Sequence, residues 1–199
     1  MSIVTLNDRG VRSVSAFGSL NTGSMIFISK VTASSSATID FTSGIDSTYK
    51  EYIFTFKNIH PATDNAELQF QADTGTNTNY NQTITSTHFR SRHDEADSTT
   101  SLSYLTSGDQ AQGTSFQRIT SCGNDNDQNI NGTFHLFNPS NTTFVKHFLI
   151  TTSADDYRSE ANQRFTSGYF NTTTALTRVR FKFDSGNIDA GDICLYGIL

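Results

Sequence analysis

The sequence predicts a single all-β domain, folded as an antiparallel β-sandwich of jelly-roll type. Three observations lead to this prediction. Short segments alternate between apolar and polar residues, turn-forming residues separate them at regular intervals, and Thr, Phe and Tyr outnumber the strong helix formers. The length of 199 residues fits one domain of this class, and no segment shows a sustained apolar period of 3.6 residues.

Period-two alternation defines the strands. Residues 178–184 place Val179, Phe181 and Phe183 on one face and charged residues on the other, so a slip of one residue would bury charges. Residues 52–56 and 68–71 repeat the pattern. In chain order, the predicted strands are 24–31, 36–41, 52–56, 68–71, 80–90, 101–105, 114–120, 132–138, 144–152, 165–170, 178–184 and 192–198.

Polar stretches rich in Gly, Asn, Asp and Ser separate these segments and predict turns. We expect the exposed loops at 91–100, 106–114, 121–131 and 153–164. Short strands at this spacing, about ten or more, are typical of a sandwich or jelly roll. With two prolines and no Pro/Gly-rich linker, residues 23–199 form one β-sandwich domain in this interpretation.

Residues 1–22 differ from the rest of the chain. Their apolar residues are too sparse and irregular for a core of their own. One interpretation is an edge segment of the same sandwich, and the other is an extended arm that docks on a neighbouring subunit. For the arm, we expect contacts through Leu6, Arg9 and Val11.

The net charge and the apolar pattern of the sequence argue against nucleic acid and membranes as binding partners. A net charge of −5 argues against nucleic-acid binding, which needs a basic surface. The sequence contains no run of 18 apolar residues and so predicts no membrane-spanning helix. Residues 1–9 lack the basic and apolar blocks of a signal peptide. We therefore expect synthesis in the cytoplasm without membrane insertion.

The common catalytic motifs are missing from the sequence, among them the nucleophile elbow, the phosphate-binding loop and the zinc-protease helix. We therefore expect a non-enzymatic protein without a cofactor or catalytic residues. Residues 93–97 (His-Asp-Glu-Ala-Asp) could supply metal ligands or paired carboxylates, but consecutive residues point in different directions. A solvated hairpin tip explains them better.

One stretch resembles the first half of a calcium-binding loop. Asp127, Asn129 and Asn131 offer oxygen atoms at alternate positions, and Gly132 follows in sixth place. Asn138 stands where the bidentate Glu should be, so these residues are weak calcium candidates, and ordinary turn chemistry explains them as well. We expect no metal.

Candidate interaction residues lie on strands and beside loops. Arg178, Arg180 and Lys182 form a basic stripe, which is either a solvated face or a contact for carboxylates of the next subunit. His135 and His147 alternate with apolar residues and are expected to pack or to face a subunit contact. Tyr80, Tyr104 and Tyr157 flank polar loops and could serve either as ligand platforms or as loop anchors.

Two cysteines are too few for a disulfide framework. Cys194 lies in an apolar strand pattern and Cys122 in a polar stretch that predicts a loop. The spacing leaves open whether they pair.

Five segments carry a resemblance to known proteins. They are residues 6–10 (Leu-Asn-Asp-Arg-Gly), 52–64, 123–127 (Gly-Asn-Asp-Asn-Asp), 136–148 and 185–192. These segments resemble structural proteins of tailed bacteriophages, especially phages of marine bacteria, and more broadly the β-sandwich modules of phage fibres and capsid appendages.

The resemblance implies a place in a virion and gives no catalytic or binding residues. We expect a tail-associated or surface appendage that is assembled in the host cytoplasm, self-associates as a trimer and contacts other virion proteins. The alternatives are a capsid decoration (cement) protein and a module that binds host surface glycans. An enzyme such as a small glycan hydrolase is the weakest alternative.

Overall fold

The computed structural model describes residues 24–199, which form twelve β-strands and no helix. The predicted arm, with Leu6, Arg9 and Val11, lies outside the described residues. The all-β prediction is confirmed. The strands are β1 Met25–Thr32, β2 Ile39–Phe41, β3 Glu51–Pro61, β4 Ala66–Thr74, β5 Ile84–Asp94, β6 Thr100–Tyr104, β7 Gln117–Cys122, β8 Ile130–Phe137, β9 Lys146–Asp156, β10 Glu160–Phe170, β11 Leu176–Phe183 and β12 Ile188–Ile198.

The strands form two antiparallel sheets of unequal width. The larger sheet has the order β1-β12-β3-β8-β9-β10-β5-β6, and the smaller has the order β2-β11-β4-β7. The pairs are nested: β5 pairs with β6, β4 with β7, β3 with β8, β2 with β11 and β1 with β12. Successive pairs alternate between the two sheets, and the β9–β10 hairpin is inserted between β8 and β5.

Aromatic side chains from both sheets form the centre of the core. Phe134 of the larger sheet meets Phe70 of the smaller with ring centroids 4.6 Å apart, and Phe54 meets Phe181 at 5.4 Å. All four are fully buried, because every second residue of each strand points to the opposing sheet. Each such aromatic pair adds about 0.5–1.5 kcal/mol beyond the burial of its area.

The smaller sheet covers only the middle of the larger one. Its aromatic residues contact rings on β3, β8, β9 and β10, which are the four central strands. Loops cover the flanking strands. The segment around Gly44 lies against Ile28 and Leu195 on one side, and the segment around Gly108 lies against His88 on the other.

The predicted loop at 153–164 is wrong. These residues instead form the hairpin in which β9 continues to Asp156 and β10 begins at Glu160. Four of the polar residues that suggest a loop point inward and are buried, namely Asp156, Glu160, Asn162 and Arg164. The loop at 91–100 is also shorter than expected, because β5 runs to Asp94 and β6 starts at Thr100.

Both cysteines are buried and free. Cys122 ends β7 instead of lying in a loop, and its thiol donates to the carbonyl oxygen of Asp155 at 3.3 Å. Burial raises the pKa of Cys122 to about 12, so the thiol stays protonated at neutral pH.

We expect Phe134→Ala to lower the free energy of unfolding by about 3–5 kcal/mol, because the substitution removes a buried ring and leaves a cavity between the sheets. Phe144→Ala is the control, since Phe144 is 67% exposed. Urea unfolding followed by intrinsic fluorescence measures both changes. Equal losses for the two variants would contradict the assignment of Phe134 to the centre of the core.

Candidate functional site

The outward side of the larger sheet, called the outer face below, is not covered by any part of the chain between residues 24 and 199. The register aligns outward-pointing residues of neighbouring strands into rows across the sheet. One row runs from Phe27 through Tyr196, Ile53 and His135 to Leu149. Phe27 is 57% exposed and Leu149 is 51% exposed, so two large apolar side chains of this row face solvent.

Two further rows extend the apolar surface. In one, Met25 and Ile198 align with Glu51 and Phe137. In the other, the rings of Phe89 and Phe165 stack with their centroids 4.9 Å apart. The larger apolar side chains of the outer face are Met25, Phe27, Ile53, Phe89, Leu102, Tyr104, Phe137, Leu149, Phe165, Tyr169, Tyr196 and Ile198.

Charged groups are sparse in these rows and lie beside polar partners. A carboxylate oxygen of Glu51 lies 2.6 Å from the Nδ1 atom of His135. Lys30, on the edge strand, pairs with Asp192 at 3.2 Å. Depletion of charge together with enrichment in aromatic residues is typical of the core of a protein–protein interface.

A shallow groove of about 490 Å³ lies on the outer face where β8, β9, β10 and β5 meet. Aromatic rings of Phe137, His147 and Tyr169 line it, and Thr87 and Ser167 contribute hydroxyl groups. The His147 and Tyr169 rings are 5.7 Å apart. The groove is open and mainly apolar, so it suits a side chain or a flat ligand better than an ion.

The predicted basic stripe lies on the smaller sheet, away from the outer face. Arg180 makes a two-bond ion pair with Asp40, at 2.7 and 2.6 Å, and its guanidinium lies 4.1 Å from the centre of the Tyr80 ring. Arg178 donates to the carbonyl oxygen of Gly75 at 3.0 Å. Within the described residues the stripe therefore has partners of its own, and a subunit contact through it stays a prediction.

Lys182, the third residue of the stripe, has its Nζ atom 4.6 Å from the centre of the Phe116 ring. Of the three predicted tyrosines, Tyr80 is 2% exposed, so its assignment to a ligand-facing loop is wrong. Its ring packs under Arg180 instead. Tyr104 and Tyr157 are exposed, as the prediction requires. Tyr104 lies on β6 and Tyr157 in the β9–β10 turn, and the structure does not bring them together.

The side chains of two calcium candidates, Asn129 and Asn131, form hydrogen bonds with one another and with the backbone. The Asn131 side chain accepts from the backbone N–H of Asn58 at 3.0 Å and donates to Asn129, while the Asn129 amide donates to the carbonyl oxygen of Asp127 at 3.3 Å. Among residues 24–199, no group of three or more His, Cys, Asp and Glu side chains is arranged to hold a metal ion.

Residues 93–97 comprise the last two residues of β5 and the first part of the turn that leads to β6. Asp94 accepts hydrogen bonds from the backbone N–H groups of Ser98 and Thr99 at 2.8 and 2.9 Å. The hydroxyl of Ser98 and these N–H groups hold the pKa of Asp94 at about 2. The Asp94 carboxylate therefore stabilises the turn between β5 and β6 by accepting these hydrogen bonds.

A buried ionic cluster, which the sequence reading missed, lies between the sheets at the end of the β9–β10 hairpin. Arg158 donates to Asp156 at 3.0 and 2.9 Å and to Glu160 at 2.6 Å. Both carboxylates are almost fully buried. Burial would raise the pKa of Asp156, but hydrogen bonds from Arg158 outweigh it and lower the pKa. The only sequence signal was polar residues at every second position of β10.

His88 is fully buried beside this cluster. Its Nδ1 atom is 2.7 Å from the hydroxyl oxygen of Thr166, and its Nε2 atom has no partner. Burial lowers the pKa of His88 to about 4, and the positive charges of Arg164 and Arg118 act in the same direction. His88 is therefore neutral in the folded protein at neutral pH.

Comparisons with protein-family models, with curated proteins and with solved structures find no match to this chain. Between residues 24 and 199 there is no helix that is long and apolar enough to cross a lipid bilayer.

We expect the free energy of unfolding to fall by about 3 kcal/mol as the pH is lowered from about 6.5 to about 4, because the unfolded chain protonates His88 in that window and the folded protein does not. His88→Gln should flatten this dependence. The measurement is urea unfolding across the pH range, with His93→Gln as the control, since His93 is exposed. An unchanged pH dependence in His88→Gln would rule out this role.

Proposed function

We propose that this protein is a non-enzymatic structural component of a bacteriophage particle and that it self-associates through the outer face of its larger sheet. The observation that carries the proposal is the apolar, charge-poor composition of that face. Several large apolar side chains exposed on one face of a sheet, such as Phe27, Leu149 and Phe89, usually mark an association site.

The size of the outer face supports a stable interface. Eight strands spaced by about 4.8 Å and as long as 11 residues give a surface of roughly 34 by 33 Å, or about 1,100 Å². A standard interface buries about 800 Å² of each partner. The outer face is therefore large enough to hold one subunit contact of standard size.

The nested strand pairs support the jelly-roll form of the sandwich. A jelly roll is one long antiparallel hairpin wound around a barrel, so its strand pairs alternate between two sheets. The five nested pairs of this chain alternate in that way, with β5–β6 innermost and β1–β12 outermost. In this interpretation the β9–β10 hairpin is an insertion that widens the larger sheet.

The place in the particle is proposed from the sequence resemblance to tailed-phage proteins. We favour a trimeric tail-associated or surface appendage, in which residues 1–22 dock on a neighbouring subunit or virion protein. A capsid decoration protein is the alternative location. Immunogold labelling of the particles separates the two, because labels confined to the shell faces would contradict a tail location.

We expect Leu149→Glu to reduce the assembly to monomers, because the substitution places an unpaired charge in the middle of the outer face. Leu149 is half-exposed in the single chain, so the variant should fold normally. The measurement is size-exclusion chromatography with light scattering, where the wild type should have three times the 21.9 kDa of one chain.

Tyr157→Glu is the matched control, since Tyr157 is also exposed but lies in the β9–β10 turn. It should assemble like the wild type. A monomeric wild type would contradict self-association, a dimer would contradict the trimer, and an assembled Leu149→Glu variant would exclude the outer face.

A second candidate function is binding of host surface glycans, and the groove favours it. Aromatic rings beside hydroxyl groups match the apolar faces and hydroxyls of a sugar ring. We expect Tyr169→Ala to abolish any saccharide binding measured on a glycan array, while Tyr157→Ala retains it. An array without binding to the wild type would contradict this candidate and would leave self-association intact.

A further inference from the structure

The ionic cluster at the end of the β9–β10 hairpin contains more positive than negative groups. β5 and β10 place arginines side by side, since Arg90 aligns with Arg164 and Arg92 aligns with Asn162. The whole cluster has five guanidinium groups and three carboxylates. Its members are Arg90, Arg92, Arg118, Arg158 and Arg164 with Glu67, Asp156 and Glu160.

Each of the three carboxylates forms an ion pair with at least one of four arginines. Glu160 pairs with Arg158 at 2.6 Å and with Arg92 at 3.2 Å. Asp156 pairs with Arg158 at 2.9 Å. Glu67 serves both Arg118 and Arg164, the latter at 3.9 Å.

Arg90 is the exception within the described part of the chain. It has no carboxylate partner there, and its Nε–H is buried without any acceptor. Burial, together with the neighbouring charges of Arg92 and Arg158, lowers its pKa. A buried donor without a partner costs free energy, and native proteins usually satisfy such groups with water or an ion.

Other unsatisfied atoms lie in the same region. The Nε atom of Arg118, the hydroxyl of Thr152 and Nε2 of fully buried His88 are also buried without partners. Thr152 aligns with Arg164 on the adjacent strand, and Arg164 aligns with Arg90. Several buried polar atoms in one positively charged region therefore have no hydrogen-bond partner among the described residues.

We propose that Arg90, with Arg92 and Arg158, binds one small oxyanion of the sulfate or phosphate class. A planar guanidinium donates two parallel hydrogen bonds to two oxygens of such an anion, which satisfies the Nε–H of Arg90. The anion also offsets the excess of two positive charges in a place where water screens them weakly. Arg92 and Arg158 are partly exposed, so the anion enters from their side.

The test compares the wild type with Arg90→Met in low millimolar sodium sulfate, sodium phosphate and sodium chloride at equal ionic strength. Differential scanning fluorimetry should show that sulfate or phosphate raises the melting temperature of the wild type along a saturating one-site curve. Arg90→Met should not respond. Arg178→Met should respond like the wild type, because Arg178 lies on the other sheet.

Two further results decide the proposal. Isothermal titration with phosphate should give one site per chain. Arg90→Lys should weaken the affinity for phosphate by roughly tenfold or more, because lysine keeps the positive charge but cannot donate two parallel hydrogen bonds. In chloride alone, Arg90→Met should melt above the wild type, because an unpaired charge has been removed. No heat of binding, or equal melting shifts in the wild type and Arg90→Met, would overturn the site.

Discussion

The structure depends on the packing of a four-stranded sheet against only the central strands of an eight-stranded one. Phe70 and Phe181 bury themselves against rings of β3 and β8–β10, and this contact aligns the two sheets. Because the smaller sheet is narrower, it leaves the flanking strands to be covered by loops. Among residues 24–199, no layer of protein covers the opposite side of the larger sheet.

Because side chains alternate along each strand, the residues of this polar chain lie in the aromatic core, in the ionic cluster or on the outer face. On β10, the inward residues are apolar or small near Phe170 and become charged toward Glu160, so one strand contributes both to the aromatic core and to the ionic cluster. Its outward residues, Phe165 and Tyr169, join the outer face. A one-residue slip would exchange buried charges with exposed aromatic rings, and the register is therefore strongly specified.

The sequence predicts the all-β class and most strands, because period two is a local signal and residues 178–184 display it fully. It fails at residues 153–164, because Asp156, Glu160 and Arg164 are buried and hydrogen-bonded inside the fold but have the polar character of a solvated loop in the sequence. The outer face is not predictable from the sequence either, because only the strand order places Phe27 and Leu149 in the same row. The burial of Tyr80 is not predictable for a related reason, because Arg180, which packs on the Tyr80 ring, comes from a distant strand.

Hydroxyl-radical footprinting of the assembled protein, compared with the diluted single chain, measures whether self-association buries the outer face. We expect Phe27, Leu149 and Tyr169 to be protected in the assembly, whereas Tyr157 and Phe144 react equally in both states. Protection confined to the turns or to the smaller sheet, with the outer face equally reactive before and after assembly, would exclude the outer face as the subunit contact.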